Sequence, residues 1–528
     1  MQMAGVTSAG LFATTATSSW SQGQEHNIDK QQPLIPGDYA CTQLAKDLVI
    51  ADGGINLDWA INSLEQAIQC ESDVRKSKYV GVLQFERLIE KKTACARTGW
   101  NWSHAIQAAI DLSEAKGLIC VMPPGVLRIT QPLQMGSNSK LFIPPETILL
   151  KDFNSLDTFA GTIKNKRDAE GVSNVLVFGG GTIKSSSGRI GKHIVFFNSN
   201  FVSIANVKIR STYSDWTTKF QNCNYVLIYG NDTDVENTEV LTDGWHFKGG
   251  SKNIVVANNR VRTGDDCIAF TQEVQGVDES GDIERVTVVN NTLDSAQSSL
   301  IKLHVRAGIS TAIRRISINN VDGKVGRINE GGFALYLSDE GFTQKISDIK
   351  VSNLIARCEE NGDYCARVIG CRDVKIENFE ARDALRGVLI EDSYRICLDH
   401  LQIRNLRGQG VDVSSGITLQ NTDRFWITNP VVSRTRQHGI QLGSPGKPAH
   451  HGVVVGGVLS ECLSTGLRLA NAAEVSVEGV KCLGNRNGIV EDRGSRKNLI
   501  LRNRLSGNSA VQLSLLGNDT VDEENEVN

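Results

Sequence analysis

The stretch RTGDDCIAF, residues 262–270, sets Asp265 beside Asp266 just ahead of an apolar run, and LTDGWHF, residues 241–247, sets Asp243 ahead of a similar one. Adjacent carboxylates repel, so stability alone does not favour them. Three readings account for such a cluster: a solvated Asp-rich turn, a cation site, or an acid/base centre in which crowding keeps one carboxyl protonated. Aligning Trp245 and Phe247 with Ile268 and Phe270 puts Asp243 one structural repeat before Asp266. If successive repeats lie as neighbouring strands, about 4.8 Å apart, the three acids share one patch. Other side chains could serve the same patch. Lys302, His304 and Arg306 alternate along one stretch and so project to one side, as a solvated basic strip or as contacts to an anionic substrate. His246 faces opposite to Trp245 and Phe247, which places it outside, near Asp243, if those aromatics are core. Tyr213 and Trp216 form either a sugar-stacking platform or a packed loop. Cys267 lacks the basic setting that makes a thiol reactive.

Positioning these residues requires a repeat, and the chain has one. The pattern apolar–x–apolar–x–Asn/Gly begins at Val175, Val202, Val226, Ile254, Val286, Ile316, Ile349, Val374 and Leu401, and again at Phe425, Val453, Val475 and Leu499. The average spacing of about 27 residues suits a solenoid. Each copy alternates with period two, the signature of a short strand with one inward face. The closing Asn or Gly tolerates left-handed backbone angles and lets the chain turn. Asn side chains stacked at such turns can also hydrogen-bond along a ladder. A single coil cannot bury its apolar face, whereas a stack can. The expected fold is therefore all-β: a parallel β-helix of about a dozen coils, right-handed because parallel crossovers are.

The remainder of the chain reads differently. Residues 1–37 are signal-like or unstructured, with small and apolar residues but no basic residue other than His before Lys30. This suggests a secreted or periplasmic location. Residues 38–98 form a helical region, with Leu57, Ile61, Leu64 and Ile68 near helical spacing. Residues 99–515 form the β-helix, opened by a helix around Ile106, Ala109 and Ile110 that covers the end of the solenoid. Residues 516–528 read as a frayed acidic tail. The net charge of −3 gives no reason to expect nucleic acid or an anionic membrane as partner. No run of about 18 apolar residues predicts a membrane span. The 12 cysteines contain no CxxC pair. Cys358, Cys365 and Cys371 are close enough to pair in an oxidising compartment, but buried thiols are the expectation.

In layout, TDG followed one coil later by GDDCIA resembles the signature of polygalacturonase-type hydrolases, glycoside hydrolase family 28 and its relatives. The segment HAIQAAIDLSEAKGLICVMPPGVLRIT is similar to the N-terminal cap of many β-helix polysaccharide enzymes. The resemblance implies a right-handed β-helix that hydrolyses an acidic polysaccharide or oligosaccharide with inversion, without metal or cofactor. It implies Asp265 as the general acid, with Asp243 and Asp266 activating water. The chain departs from the pattern in three places. Leu241 stands where the family has Asn, and Ser298 and Ser299 where it has Gly-His-Gly. Tyr336 stands on the coil that carries the family's Arg-x-Lys. His246, Lys302, His304, Arg306 and Tyr336 are then the candidate substrate contacts. Two other classes remain open: a uronate lyase or epimerase using a basic residue, and a glycan-binding adhesin of the tailspike kind. Monomer and trimer both remain open.

Overall fold

The computed structural model describes residues 58–528, apart from 77, 92–98, 156–158, 167–168, 212–215, 236–241, 279, 327–331, 359–361 and 409–413. The signal-like segment 1–37, Leu57, Tyr213 and Leu241 therefore lie outside the described residues. Strands pair in parallel from one coil to the next, forming a 15-stranded sheet along one side and a 30-stranded sheet that wraps the rest. This is a parallel β-helix. Inward residues repeat in register: Val175, Val202, Val226, Ile254, Val286, Ile316, Ile349 and Val374 pair as successive neighbours and are buried. Phe196, Phe220, Phe247 and Phe270 form a second interior column, with successive ring centroids 6.1, 5.2 and 5.1 Å apart.

The closing Asn residues adopt the left-handed angles their pattern requires, with φ near 51–58° at Asn206, Asn258, Asn290, Asn320, Asn353 and Asn378. Two asparagine ladders result. Surface turns link Asn290 to Asn320 and Asn353 to Asn378. A buried ladder runs through Asn231, Asn259 and Asn291: the Asn231 backbone N–H donates to Asn259 Oδ1 at 2.9 Å, and the Asn259 N–H to Asn291 Oδ1 at 2.9 Å.

The repeat reading slips in its later copies. The neighbour of Val374 is Ile396, not Leu401, and the segment 401–405 overlaps the second strand of that coil, Gln402–Arg404. Both strands of a coil alternate and both end in a left-handed residue, His400 and Asn405, so the pattern alone does not separate them. Phe425 pairs with Gly452 rather than Val453. Only glycine fits there, since a Cβ would lie 2.0 Å from the Phe425 ring. The copy at Leu499 is also off by one, which reverses its faces: Leu499 is exposed and Ile500 buried.

Two helices accompany the solenoid. α1 (Asp58–Arg75) packs Ala60, Leu64, Ala67, Cys70 and Val74 against the outer face of the large sheet, over Leu176, Phe178, Leu227 and Val255. α2 (Ser103–Lys116) buries Ala105, Ile106, Ala109 and Ile110 in the main core and ends at left-handed Gly117. The acidic tail is not frayed. Val521–Glu523 and Glu526–Val527 pair with the preceding coil, because Asn525 accepts from the Asn503 backbone as each earlier ladder Asn does. Cys358, Cys365 and Cys371 are buried thiols.

Asn259→Ala is expected to leave the buried Asn231 backbone N–H and one side-chain amide hydrogen of Asn231 without an acceptor, each costing about 1–3 kcal/mol. The melting temperature should fall by several degrees, and an unchanged melting curve would contradict the ladder's structural role.

Candidate active site

Five consecutive strands of the smaller sheet carry the site: β1 (Trp245–Lys248), β2 (Ile268–Gln272), β3 (Ser299–Val305), β4 (Gly332–Asp339) and β5 (Gly362–Ile369). Backbone bonds fix the register just ahead of them. Gly244 N–H donates to Asp266 O at 2.9 Å, and Cys267 N–H to Ser299 O at 2.9 Å. Gly244 is required for this approach, since a Cβ there would meet Cys267 O at 2.5 Å. Asp243 is thereby set against Asp266, and the Asp266 N–H donates to Asp243 Oδ1 at 3.2 Å. The Thr263 and Ser295 hydroxyls both donate to Asp265 O and hold the bend between the two aspartates.

The three acids do come together. One carboxylate oxygen from each of Asp243, Asp265 and Asp266 lies within 4.8 Å of the others. Asp243 and Asp266 are buried and Asp265 is half-buried. This spacing is shorter than the roughly 6.5–9.5 Å usual when a water sits directly between an inverting pair. Lys302 Nζ stands 3.1 Å from Asp266 Oδ2, so an ammonium already supplies the positive charge a cation would bring. Ser298 Oγ and the Ser299 N–H both donate to Asp266 Oδ1, at 2.7 and 2.9 Å. The two serines at the expected histidine position thus brace Asp266.

Asp243 differs. Burial, then the Asp266 charge, hold its carboxyl well above the ordinary value of 3.8, against the opposing pull of Lys302 and the Asp266 N–H. His246 Nδ1 lies 2.5 Å from Asp243 Oδ2 and its Nε2 lies 2.8 Å from Thr271 Oγ1. The imidazole is pushed down to about 3, chiefly by burial and also by Lys248, so it is neutral. Burial alone would lower the Lys302 ammonium, but Asp266, Asp243, Glu273 and Asp265 outweigh it and push it up.

The expected substrate contacts separate into three groups. His246 is outward but only 2% exposed, covered by the Trp216 ring at 4.1 Å, and so is not a substrate contact. Trp216 itself is half-buried and sits among the ammonium groups of Lys192, Lys219 and Lys248. Lys302 and His304 are outward on β3, as expected, but are engaged. His304 lies between Glu273 (3.2 Å) and Glu340 (3.0 Å), and Lys302 is held by Asp266. Arg306 lies past the end of β3, exposed, because the strand stops at Val305. Tyr336 is half-buried and pairs with Lys302 on the next coil.

Several residues escaped the sequence reading. Glu273 and Asp278 flank buried Lys248 at 3.6 and 3.0 Å. Beyond Ser299, the column of the acids continues through Phe333, Tyr364 and Arg386, with the Phe333 and Tyr364 rings stacked at 5.9 Å. The neighbouring column runs Lys302, Tyr336, Arg367. Arg386 is paired with Asp363, whereas the buried Arg367 Nε has no hydrogen-bond partner among the described residues. Counting two residues back from the first inward residue of each strand would have exposed this strip.

The pattern of Glycosyl hydrolases family 28 matches residues 168–295, which hold all three acids, and that of the right handed beta helix region matches residues 332–525. The chain is a right-handed parallel β-helix, and its segment 168–295 is similar to glycosyl hydrolases of family 28. Polygalacturonase QRT2 of Arabidopsis thaliana is 23% identical to this β-helix over 259 residues, 48% of this chain and 54% of that protein, so the match spans about half the relative's length. A family 28 exopolygalacturonase of Yersinia enterocolitica superposes with a TM-score of 0.47 and 13% identity, covering 85% of this chain and 78% of its own. A mutant tailspike protein of E. coli bacteriophage HK620, in complex with a hexasaccharide, gives a TM-score of 0.48 and 12% identity, covering 84% and 80%.

The folded β-helix holds the Asp243 proton more tightly than the unfolded chain does. Stability from this group is therefore complete below the ordinary value of 3.8 and is lost as pH rises toward the folded value. Asp243→Asn removes that loss. Its melting temperature should exceed the wild type's at neutral pH, with the gap closing near pH 4. A variant less stable than wild type at both pH values would contradict the burial argument.

Proposed function

We propose that the protein is a glycoside hydrolase acting on an acidic, pectin-type polysaccharide, with Asp243, Asp265 and Asp266 as its acid/base machinery. The observation that carries this reading is the trio of carboxylates itself, gathered within 4.8 Å inside the segment that matches family 28. Asp265 is the most open of the three, so a glycosidic oxygen can reach it, and it serves as the acid that protonates the leaving group. Asp243, buried and with a raised carboxyl, is the stronger base once ionised and takes the proton of the attacking water. Asp266, tied to Lys302, Ser298 and Ser299, is a fixed negative charge that orients the water.

With oxygens this close, inversion requires the water to lie beside the trio rather than between its members. A spacing of about 5 Å also suits retention through a covalent intermediate. The lyase reading is disfavoured, because the ammonium of Lys302 is pushed up in pKa and so is a poor proton acceptor. Binding without cleavage gains one argument from the serines that replace the family's histidine. The strip of Phe333, Tyr336, Tyr364 and Arg367 supplies flat rings and a cation for a sugar chain lying along the solenoid axis.

Polygalacturonate incubated with the protein should release reducing ends, with no absorbance from unsaturated product and no sensitivity to a chelator. Asp265→Asn should lose about 10²–10⁴-fold in kcat/KM. The anomer seen first by proton NMR separates inversion from retention. A glycan that binds yet is never cut would turn the reading to an adhesin.

Arg367→Ala should raise KM for polygalacturonate about tenfold, the loss of one charge-assisted contact, and much less for the methyl-esterified polymer. Equal losses on both substrates would remove Arg367 from carboxylate recognition.

A further inference from the structure

His246 is buried, histidine is costly to bury, and nothing about the interior of the β-helix requires it at this position. Its two ring nitrogens are nonetheless fully used, Nδ1 on Asp243 Oδ2 at 2.5 Å and Nε2 on Thr271 Oγ1 at 2.8 Å. Trp216 closes the remaining side at 4.1 Å. A neutral imidazole has one N–H and one lone pair, so the partner of one nitrogen sets the role of the other. The Thr271 hydroxyl can donate to Nε2, which leaves the proton on Nδ1, directed at Asp243.

We propose that His246 is a positioning residue for Asp243: held as the Nδ1–H tautomer by Thr271 and sealed by Trp216, it donates to the Asp243 carboxylate and so keeps that buried group available as a base. This rests on the hydrolase reading above. The surroundings support a neutral donor rather than an imidazolium. Lys248 on the same strand and Lys302 on β3 oppose a second proton, and Lys219 occupies the outward position of the preceding strand. Glu273 beyond β2 and Asp266 favour one, but their charges are already met by Lys248, His304 and Lys302. Without the Nδ1–H, Asp243 would keep only the pull of Lys302 and the longer 3.2 Å bond from the Asp266 backbone against burial and the Asp266 charge. It would then stay protonated to higher pH.

The test compares His246→Leu, His246→Asn and Thr271→Val. Asn places an amide N–H close to where Nδ1 stood, whereas Leu places none. The acidic limb of kcat/KM against pH should move up by about one unit in His246→Leu, read as a tenfold loss on that limb that recovers at higher pH. It should return close to wild type in His246→Asn, and Thr271→Val should fall between. Equal, pH-independent losses in His246→Leu and His246→Asn would overturn the proposal and leave His246 a packing residue. A Leu variant that fails to fold leaves Thr271→Val against wild type as the deciding pair: a shifted limb supports the tautomer role, an unshifted one overturns it. Melting temperature supplies a readout independent of turnover. His246→Leu should lose stability relative to His246→Asn progressively as pH rises above the ordinary carboxyl value of 3.8, whereas parallel curves count against the proposal. A wild-type protein that cleaves nothing would sink the hydrolase reading while this comparison still decides the fate of the Asp243–His246 pair.

Discussion

Parallel pairing from coil to coil governs everything else in this molecule. Each residue of the smaller sheet sits beside its counterpart on the next coil, about one strand spacing away, so like is stacked on like. In the interior this is favourable: the Phe196, Phe220, Phe247 and Phe270 rings pack in one column. On the outside the same geometry sets Asp243 against Asp266, where it is unfavourable. The solenoid therefore does not merely display the acidic cluster. It forces two carboxylates together that would otherwise move apart.

That repulsion is answered locally, and differently at each acid. Asp266 receives three donors, from Ser298, Ser299 and Lys302, all of which come from the next coil. Asp243 receives a backbone N–H and an imidazole. Burial and the Asp266 charge hold the Asp243 carboxyl above its ordinary value, and a raised carboxyl beside a well-braced one suits acid/base chemistry. The longer coil between Asp266 and Ser299 matters here as well. Its extra residues carry Asp278, which receives the Lys248 ammonium at 3.0 Å and keeps a buried cation beside the site compensated.

Much of this was legible in the chain. Alternation with a terminal Asn or Gly identified the strands and the turns, because few residues other than Asn and Gly accept left-handed angles readily. The pairing of TDG with GDD one coil later followed from matching Trp245 and Phe247 to Ile268 and Phe270, and the observed register is that alignment. What stayed hidden has a common physical cause. Alternation fixes which face a residue takes only if the register is right, and a slip of one residue reverses it, as at Leu499. Outward position, moreover, is not exposure. His246 is outward as expected, yet Trp216 folds over it from a segment whose placement no periodicity reports. Phe333, Tyr364 and Arg367 were missed because the coils before them differ in length, so equal spacing in the chain does not find equal height in the stack.

The substitutions around the acids then read as a relocation rather than a loss. The polygalacturonase pattern carries its histidine on the coil after the paired aspartates. Here serines stand on that coil, while an imidazole stands on the coil before, against Asp243. Moving the ring across the aspartates alters what it can touch. On the later coil an imidazole would compete with Ser298 and Lys302 for Asp266, a carboxylate that already has its full set of donors. On the earlier coil it meets Asp243, which receives fewer donors than Asp266 and whose burial opposes ionisation. The stack, by fixing each height, leaves Asp243 as the one acid of the buried pair to which an additional donor contributes most.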